Sequence, residues 1–167
     1  MSEQHTPSNG SRFHPGMLLP RGNNAVATRL FEELPSDATN ELESAEGMRV
    51  YSPMSRVDLA SLMWLGPPEP MGGEVLSGDP RLYGRFDFRE GNVAAGVFMA
   101  TTGQIRVTFP FTEHATILEG EVTLTDELGK SRSFKAGDSY FIRQNQVVLW
   151  DVKGKHVIKS FFNVTEQ

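Results

Sequence analysis

From residue 81 to its end this sequence runs as short β-rich segments, broken at close intervals by turn residues. Candidate strands fall at 82–88, 93–101, 104–111, 113–118, 121–126, 131–135, 139–143, 147–152 and 156–164. Between them stand Glu90-Gly91-Asn92, Thr102-Gly103, Glu119-Gly120, Glu127-Leu128-Gly129, Ala136-Gly137-Asp138 and Gly154, residues that supply tight turns. Short strands of this kind cannot bury their apolar faces singly, so they must close on one another as a sandwich or barrel. No internal repeat occurs, and there are strands for one barrel only.

Alternation around the middle of this region fixes which side faces inward. Val107, Phe109, Phe111, Glu113, Ala115 and Ile117 share one face, while Arg106, Thr108, Pro110, Thr112, His114 and Thr116 share the other. A slip of one residue would bury an arginine and four polar side chains, so the register is well determined. Glu113 is thus a lone acid on an apolar, inward face. His114 points away from it, toward solvent, the second sheet or a partner subunit. A buried carboxylate is costly unless paired. The hydroxyl of Tyr140 is one candidate partner and Lys159 is another. The closing run VIKSFFNV alternates poorly, which leaves open the side on which Lys159 lies.

The residues ahead of the β region read differently. The stretch 1–15 is small and polar, with two prolines and no periodicity, which predicts a disordered tail; His5 and His14 there are read as solvated. An extension over 16–74 carries two amphipathic patterns. One spans 24–34 and is stopped by Pro35. The other spans 55–65, with Ser55 as N-cap, Asp58 in the first turn, and Leu59, Leu62, Met63 and Trp64 on a sticky face. Both are expected to pack on the barrel wall or a twin subunit. The barrel itself is expected over 75–167.

Net charge is −5, and residues 1–74 hold ten acids against five arginines, while 75–167 hold eleven of each sign. The acidity is densest from Glu32 to Glu46, with no basic residue between Arg29 and Arg49. Such a run repels phosphates, so no nucleic-acid partner is expected. Apolar stretches are too short for a membrane span. The missing signal pattern makes a cytoplasmic protein the expectation, and the absence of cysteine excludes disulfides and thiolate sites.

Three stretches carry a family resemblance: Val93–Gly103 (VAAGVFMATTG), Glu113–Val122 (EHATILEGEV) with Leu124-Thr125-Asp126, and Phe134–Trp150 (FKAGDSYFIRQNQVVLW). Together with Gly78-Asp79-Pro80 and Lys159, they resemble the cupin subfamily related to the ureidoglycine aminohydrolase C-terminal domain and the ethanolamine-utilisation cupins. The resemblance covers roughly residues 75–164 and implies an all-β, single cupin jelly roll behind a partly helical, partly disordered extension. It also implies where metal ligands should stand. The general cupin pattern has His-x-His, a glutamate four residues later, and a third histidine after a P-x-G turn. Aligned on Leu118 and Gly120, those positions fall on Val107, Phe109, Glu113 and Val148, with Arg143 and Asn145 in the turn. Only Glu113 can ligate, and a usable transition-metal site needs about three protein ligands. The expectation is a barrel with no metal and no cofactor.

The expected interior is a small, mostly apolar cavity with Glu113 as its main polar feature. Glu113 is read either as a ligand-anchoring or acid–base carboxylate, or as a remnant held by a tyrosine or lysine. In the second case, Glu113→Gln is expected to leave stability equal or higher. Trp150, Tyr140, Phe109 and Val148 are the other candidate binding residues, with Trp150 read as core or as a stacking wall. Gln146 is placed near the mouth. Three functions stay open: a small-molecule-binding cupin, an enzyme of the ureidoglycine aminohydrolase or isomerase kind using Glu113 as acid/base, and a structural or interaction protein. A homodimer is expected, because a barrel this small leaves edge strands to cover.

Overall fold

The structure, a computed structural model, describes residues 49–53 and 56–167. The tail 1–15, the pattern at 24–34, the acidic run 32–46 and Ser55 lie outside the described residues. Nine strands form among the described residues: β1 (Met63–Gly66), β2 (Gly73–Gly78), β3 (Leu82–Glu90), β4 (Val93–Thr108), β5 (Thr112–Glu119), β6 (Glu121–Thr125), β7 (Ser131–Lys135), β8 (Ser139–Ile142) and β9 (Val147–Val164). Every pairing is antiparallel. Among the described residues no helix is long and apolar enough to cross a membrane.

Two long strands organise the whole. The first part of β4 pairs with β3 and with the last part of β9, which in turn pairs with β5. The last part of β4 pairs with β2 and with the first part of β9, which pairs with β6. One layer therefore runs β1-β3-β4-β9-β5-β8 and the other β2-β4-β9-β6-β7. They meet where the register shifts: Thr101 pairs with His156 but Gly103 with Val152. Residues 153–155 bulge out opposite Thr102, whose hydroxyl donates to the Gly154 carbonyl. The turns expected at Thr102-Gly103 and Gly154 are thus bends inside continuous strands. A bulge lets one strand change direction and serve two layers without losing its ladder.

The apolar residues divide between two clusters on opposite faces of the first layer. Inside the barrel lie Ile105, Phe109, Ile117, Val122, Trp150 and Val157, among others. On the outer face, Val97, Met99, Leu118 and Ile158 are covered by Leu62, with Tyr51, Val57 and Tyr83 packed alongside. Residues 51–53 and 56–62 therefore lie as a strap across the sheet. Its anchor is Asp87, which receives the Tyr51 hydroxyl at 2.8 Å and Arg85 Nε at 2.7 Å, with Arg49 3.7 Å away. Burial and the bond to Asp87 push the Tyr51 hydroxyl up to about 12.

The helix expected over 55–65 does not form. Leu59–Ser61 make a single 3-10 turn, N-capped by Asp58, whose carboxylate accepts from the Ala60 N–H at 3.0 Å. Met63 to Gly66 then run straight as β1 against β3. The unpaired edge of β3 gives these residues a hydrogen-bonding partner, and tertiary pairing outweighs a weak helical preference. Met63 and Trp64 end up exposed; Leu62 and Val57 supply the packing instead. The sheet accordingly begins ahead of residue 75.

Candidate functional site

The inward face read from the sequence is the inward face of the structure. Glu113, Ala115 and Ile117 are buried on β5, and His114 is exposed on the opposite side. Glu113 sits opposite Ile142 on β8 and Asn163 on β9. Those neighbours place Tyr140 and Lys159 beside it, because residues two or four positions away along a strand project to the same side.

At the centre is a buried cluster of four polar side chains. Tyr140 donates to Glu113 Oε1 at 2.8 Å. Lys159 Nζ donates to the same oxygen and to the Tyr140 hydroxyl, the latter at 2.9 Å. The Asn163 amide, oriented with its nitrogen toward Glu113, reaches Oε2 at 3.0 Å. Glu113 and Lys159 are 1% and 3% exposed, so this is an ion pair removed from water. Its surroundings are aromatic: Lys159 Nζ lies 4.6 Å from the centre of the Trp150 ring, 5.0 Å from Phe98 and 5.5 Å from Tyr140. The electron-rich faces of these rings attract the ammonium.

Burial governs how these groups titrate. The Tyr140 hydroxyl is held well above its ordinary range, by burial first and by the charge and hydrogen bond of Glu113 second. It therefore remains a donor at any physiological pH. Burial lowers Lys159, and the attraction of Glu113 opposes that shift. Among the buried side-chain atoms, the indole Nε1 of Trp150 has no hydrogen-bond partner.

A cavity of about 130 Å³ opens beside the cluster. Its walls come from both layers and from the connection between β1 and β2. Glu113, Lys159 and Asn163 form the polar part, Trp150, Phe98 and Phe109 the aromatic part, and Leu65 and Met71 line the approach. Of the five candidate binding residues, Glu113, Trp150 and Phe109 line this space. Tyr140 and Val148 do not; Tyr140 acts behind Glu113, and Val148 packs in the core, paired across the ladder with Val107. Gln146 is not at the mouth: its side chain accepts from the Arg143 N–H at 2.8 Å and closes the β8–β9 turn. Asn145 in that turn has φ 70°, the left-handed conformation that asparagine tolerates at the position where the family pattern has glycine. Phe98 and Asn163 were not singled out from the sequence. Asn163 lies four residues beyond Lys159, so its side follows once that of Lys159 is known.

The donor set does not fit the metal ion that many barrels of this type hold. Val107, Phe109 and Val148 offer no ligand atom, and Glu113 is already engaged by an ammonium and a phenol. Among the described residues no three His, Cys, Asp or Glu side chains come together in a way that could hold a metal.

Two antiparallel layers sharing two long strands around one cavity define a cupin-type jelly roll. Residues 88–161 match the model of the EutQ-like cupin domain. No curated protein matches the chain. Among solved structures, a protein of unknown function of the DUF861 family from Pseudomonas syringae pv. tomato is similar, with 21% identity and a TM-score of 0.57. The similarity covers 72% of this chain and 49% of that one. The EutQ protein of Clostridium difficile is similar at 13% identity and a TM-score of 0.49, over 68% of this chain and 82% of that one. A Salmonella typhimurium protein assigned as ethanolamine utilization protein Q shares 22% identity with a TM-score of 0.45, over 54% of this chain and 72% of that one.

Proposed function

We propose that this protein binds a small molecule in the barrel without the help of a metal ion. The observation that carries the reading is the placement of a buried Glu113–Lys159 ion pair on the wall of an otherwise apolar cavity. A buried ion pair contributes little to stability compared with apolar side chains of the same volume. Its location beside open space, framed by Trp150 and Phe98, suits recognition of a ligand that needs a few placed polar groups among hydrophobic ones. The ureidoglycine aminohydrolase kind of chemistry is less well supported, because Glu113 already accepts from Lys159 and Tyr140 and the metal-ligand positions carry apolar residues.

The test has two arms. Protein purified without a histidine tag, exposed to Mn, Fe, Ni or Zn and dialysed, is expected to retain no stoichiometric metal. A ratio near one that disappears in Glu113→Ala would overturn the metal-free part. Thermal midpoints measured against a panel of small metabolites are expected to rise with at least one compound in wild type and not in Glu113→Gln. A panel that moves neither protein would sink the binding reading.

A homodimer is part of the same proposal. On the outer face, Phe141, His114, Phe162, Ala95 and Phe88 stand side by side across five strands, β8-β5-β9-β4-β3. The three phenylalanines are 63%, 49% and 46% exposed. The row contains no lysine, arginine, aspartate or glutamate, so a second copy laid on it by a two-fold axis meets no like charge. Light scattering at micromolar concentration is expected to give twice the chain mass, and Phe162→Lys to give the monomer. A wild-type monomer would count against the interface.

A further inference from the structure

Resting on the binding reading above, we infer that the cavity selects an uncharged, compact, mainly apolar molecule that carries one hydroxyl group. The argument begins with the charges on the wall. Three lining residues are ionisable: Arg85, Glu113 and Lys159. Arg85 is committed to Asp87 through Nε at 2.7 Å and Nη2 at 3.2 Å, and to the Ser61 hydroxyl through Nη1 at 2.8 Å. Glu113 and Lys159 neutralise each other. A charged ligand would leave water and find no counter-ion free to receive it, so its desolvation would go uncompensated. The wall therefore discriminates against either sign of charge.

Size and the remaining hydrogen-bonding capacity narrow the class further. A dry cavity of ~150 Å³ lined by apolar side chains holds a benzene-sized molecule, and this one measures about 130 Å³. Lys159 has three N–H groups, of which Glu113 and Tyr140 take two, leaving the third without an acceptor among the described residues. Glu113 Oε2 accepts from Asn163 and keeps capacity for a second donor. A hydroxyl can accept from the first and donate to the second at once. A carboxylate can only accept, an ammonium can only donate, and a bare hydrocarbon leaves both groups unmet.

Four molecules of nearly one shape separate these cases at pH 7: benzyl alcohol, benzoate, benzylammonium and toluene. Trp150 reports binding by its fluorescence once the other tryptophan, exposed Trp64, is replaced in Trp64→Phe. Trp64 lines no part of the cavity. Benzyl alcohol is expected to bind at least tenfold more tightly than benzoate or benzylammonium, and more tightly than toluene. Val107→Phe, which fills the cavity from its wall, is expected to abolish the signal while circular dichroism stays unchanged. If either ion binds as well as the alcohol, the charge argument falls and the binding reading stands. If toluene binds as well, the hydroxyl assignment falls. If none of the four binds, both readings fall together, and binding that survives Val107→Phe in folded protein would put the site elsewhere and overturn the inference.

Discussion

Lys159 and Glu113 face each other with almost no access to water, which makes each dependent on the other. Removing one charge strands its partner, and stranding a buried ion costs about 3–5 kcal/mol. Glu113→Gln is therefore expected to lower stability by about that much, the reverse of what the sequence alone predicted for a remnant acid. Loss of the Lys159 proton, already favoured by burial, would soften the penalty. The pair as a whole is worth far less than either half, so Glu113→Gln with Lys159→Met is expected to recover most of the loss. Urea denaturation of the two single variants and the double variant measures the difference. A double variant no better than Glu113→Gln would mean that the ion pair is not what the acid is for. Glu113 and Tyr140 were legible in the sequence because a lone acid on an alternating strand requires a partner. Lys159 is legible as a candidate partner, but its side, and with it Asn163, is not, because β9 is apolar on both sides: Ile158 lies under the strap while Val157 and Phe161 lie in the barrel. A strand covered on both faces loses the alternation that would have assigned its lysine.

At the scale of elements, the β strands were largely legible, and the errors came where contacts distant in sequence decide. The bends at Thr102 and Gly154 look like turns locally, yet the ladder between β4 and β9 carries straight past them. The strap looked helical because its apolar spacing suits either a helix or a segment lying on a sheet. Its tether to Asp87 gives it a pH signature. Unfolded, Tyr51 ionises near 10; folded, it ionises near 12. Its contribution is complete below pH 10 and is lost as the pH rises through 12, since only the folded chain still holds the proton. Tyr140 acts in the same direction from pH 10 upward, and Lys159, lowered by burial, acts in the opposite one as the pH nears 10.5. Stability measured from pH 10 to 12 is expected to fall less steeply in Tyr51→Phe than in wild type; equal slopes would remove the Tyr51–Asp87 bond from this account. The β5–β6 turn offers a second test. Gly120 has φ 80°, and a Cβ there would meet the His156 carbonyl oxygen at 2.2 Å, whereas Gly129 has φ 76° with nothing within 4 Å. Gly129→Ala is expected to cost about 1–2 kcal/mol of backbone strain, and Gly120→Ala more than about 3 kcal/mol, since main chain must also move. Equal losses in the two variants would show that the close approach to β9 is unimportant.

For the whole molecule, the architecture follows from two strands long enough to belong to both layers, and everything else closes the edges they leave. β1 pairs with the outer edge of β3, and β2 pairs with the last part of β4. The strap covers Val97, Met99, Leu118 and Ile158, and the connection from Leu65 to Gly73 walls one side of the cavity. Apart from most of β2, these pieces lie ahead of 75–167, the span the sequence marks out as the barrel, because turn-rich segments with few β-branched residues do not announce that they will pair. The fragment 75–167 would bare a ladder edge and at least four buried side chains, each worth about 1.5–3 kcal/mol when covered. That sum approaches the roughly 5–15 kcal/mol by which a domain is stable at all. The fragment is therefore expected to lack a cooperative urea transition and to aggregate through the exposed edge of β3. Restoring residues 49–74 is expected to bring the transition back, and with it the cavity wall that ligand binding requires. A fragment 75–167 that unfolds cooperatively at the midpoint of the full chain would show that the strap and β1 decorate a barrel that stands without them.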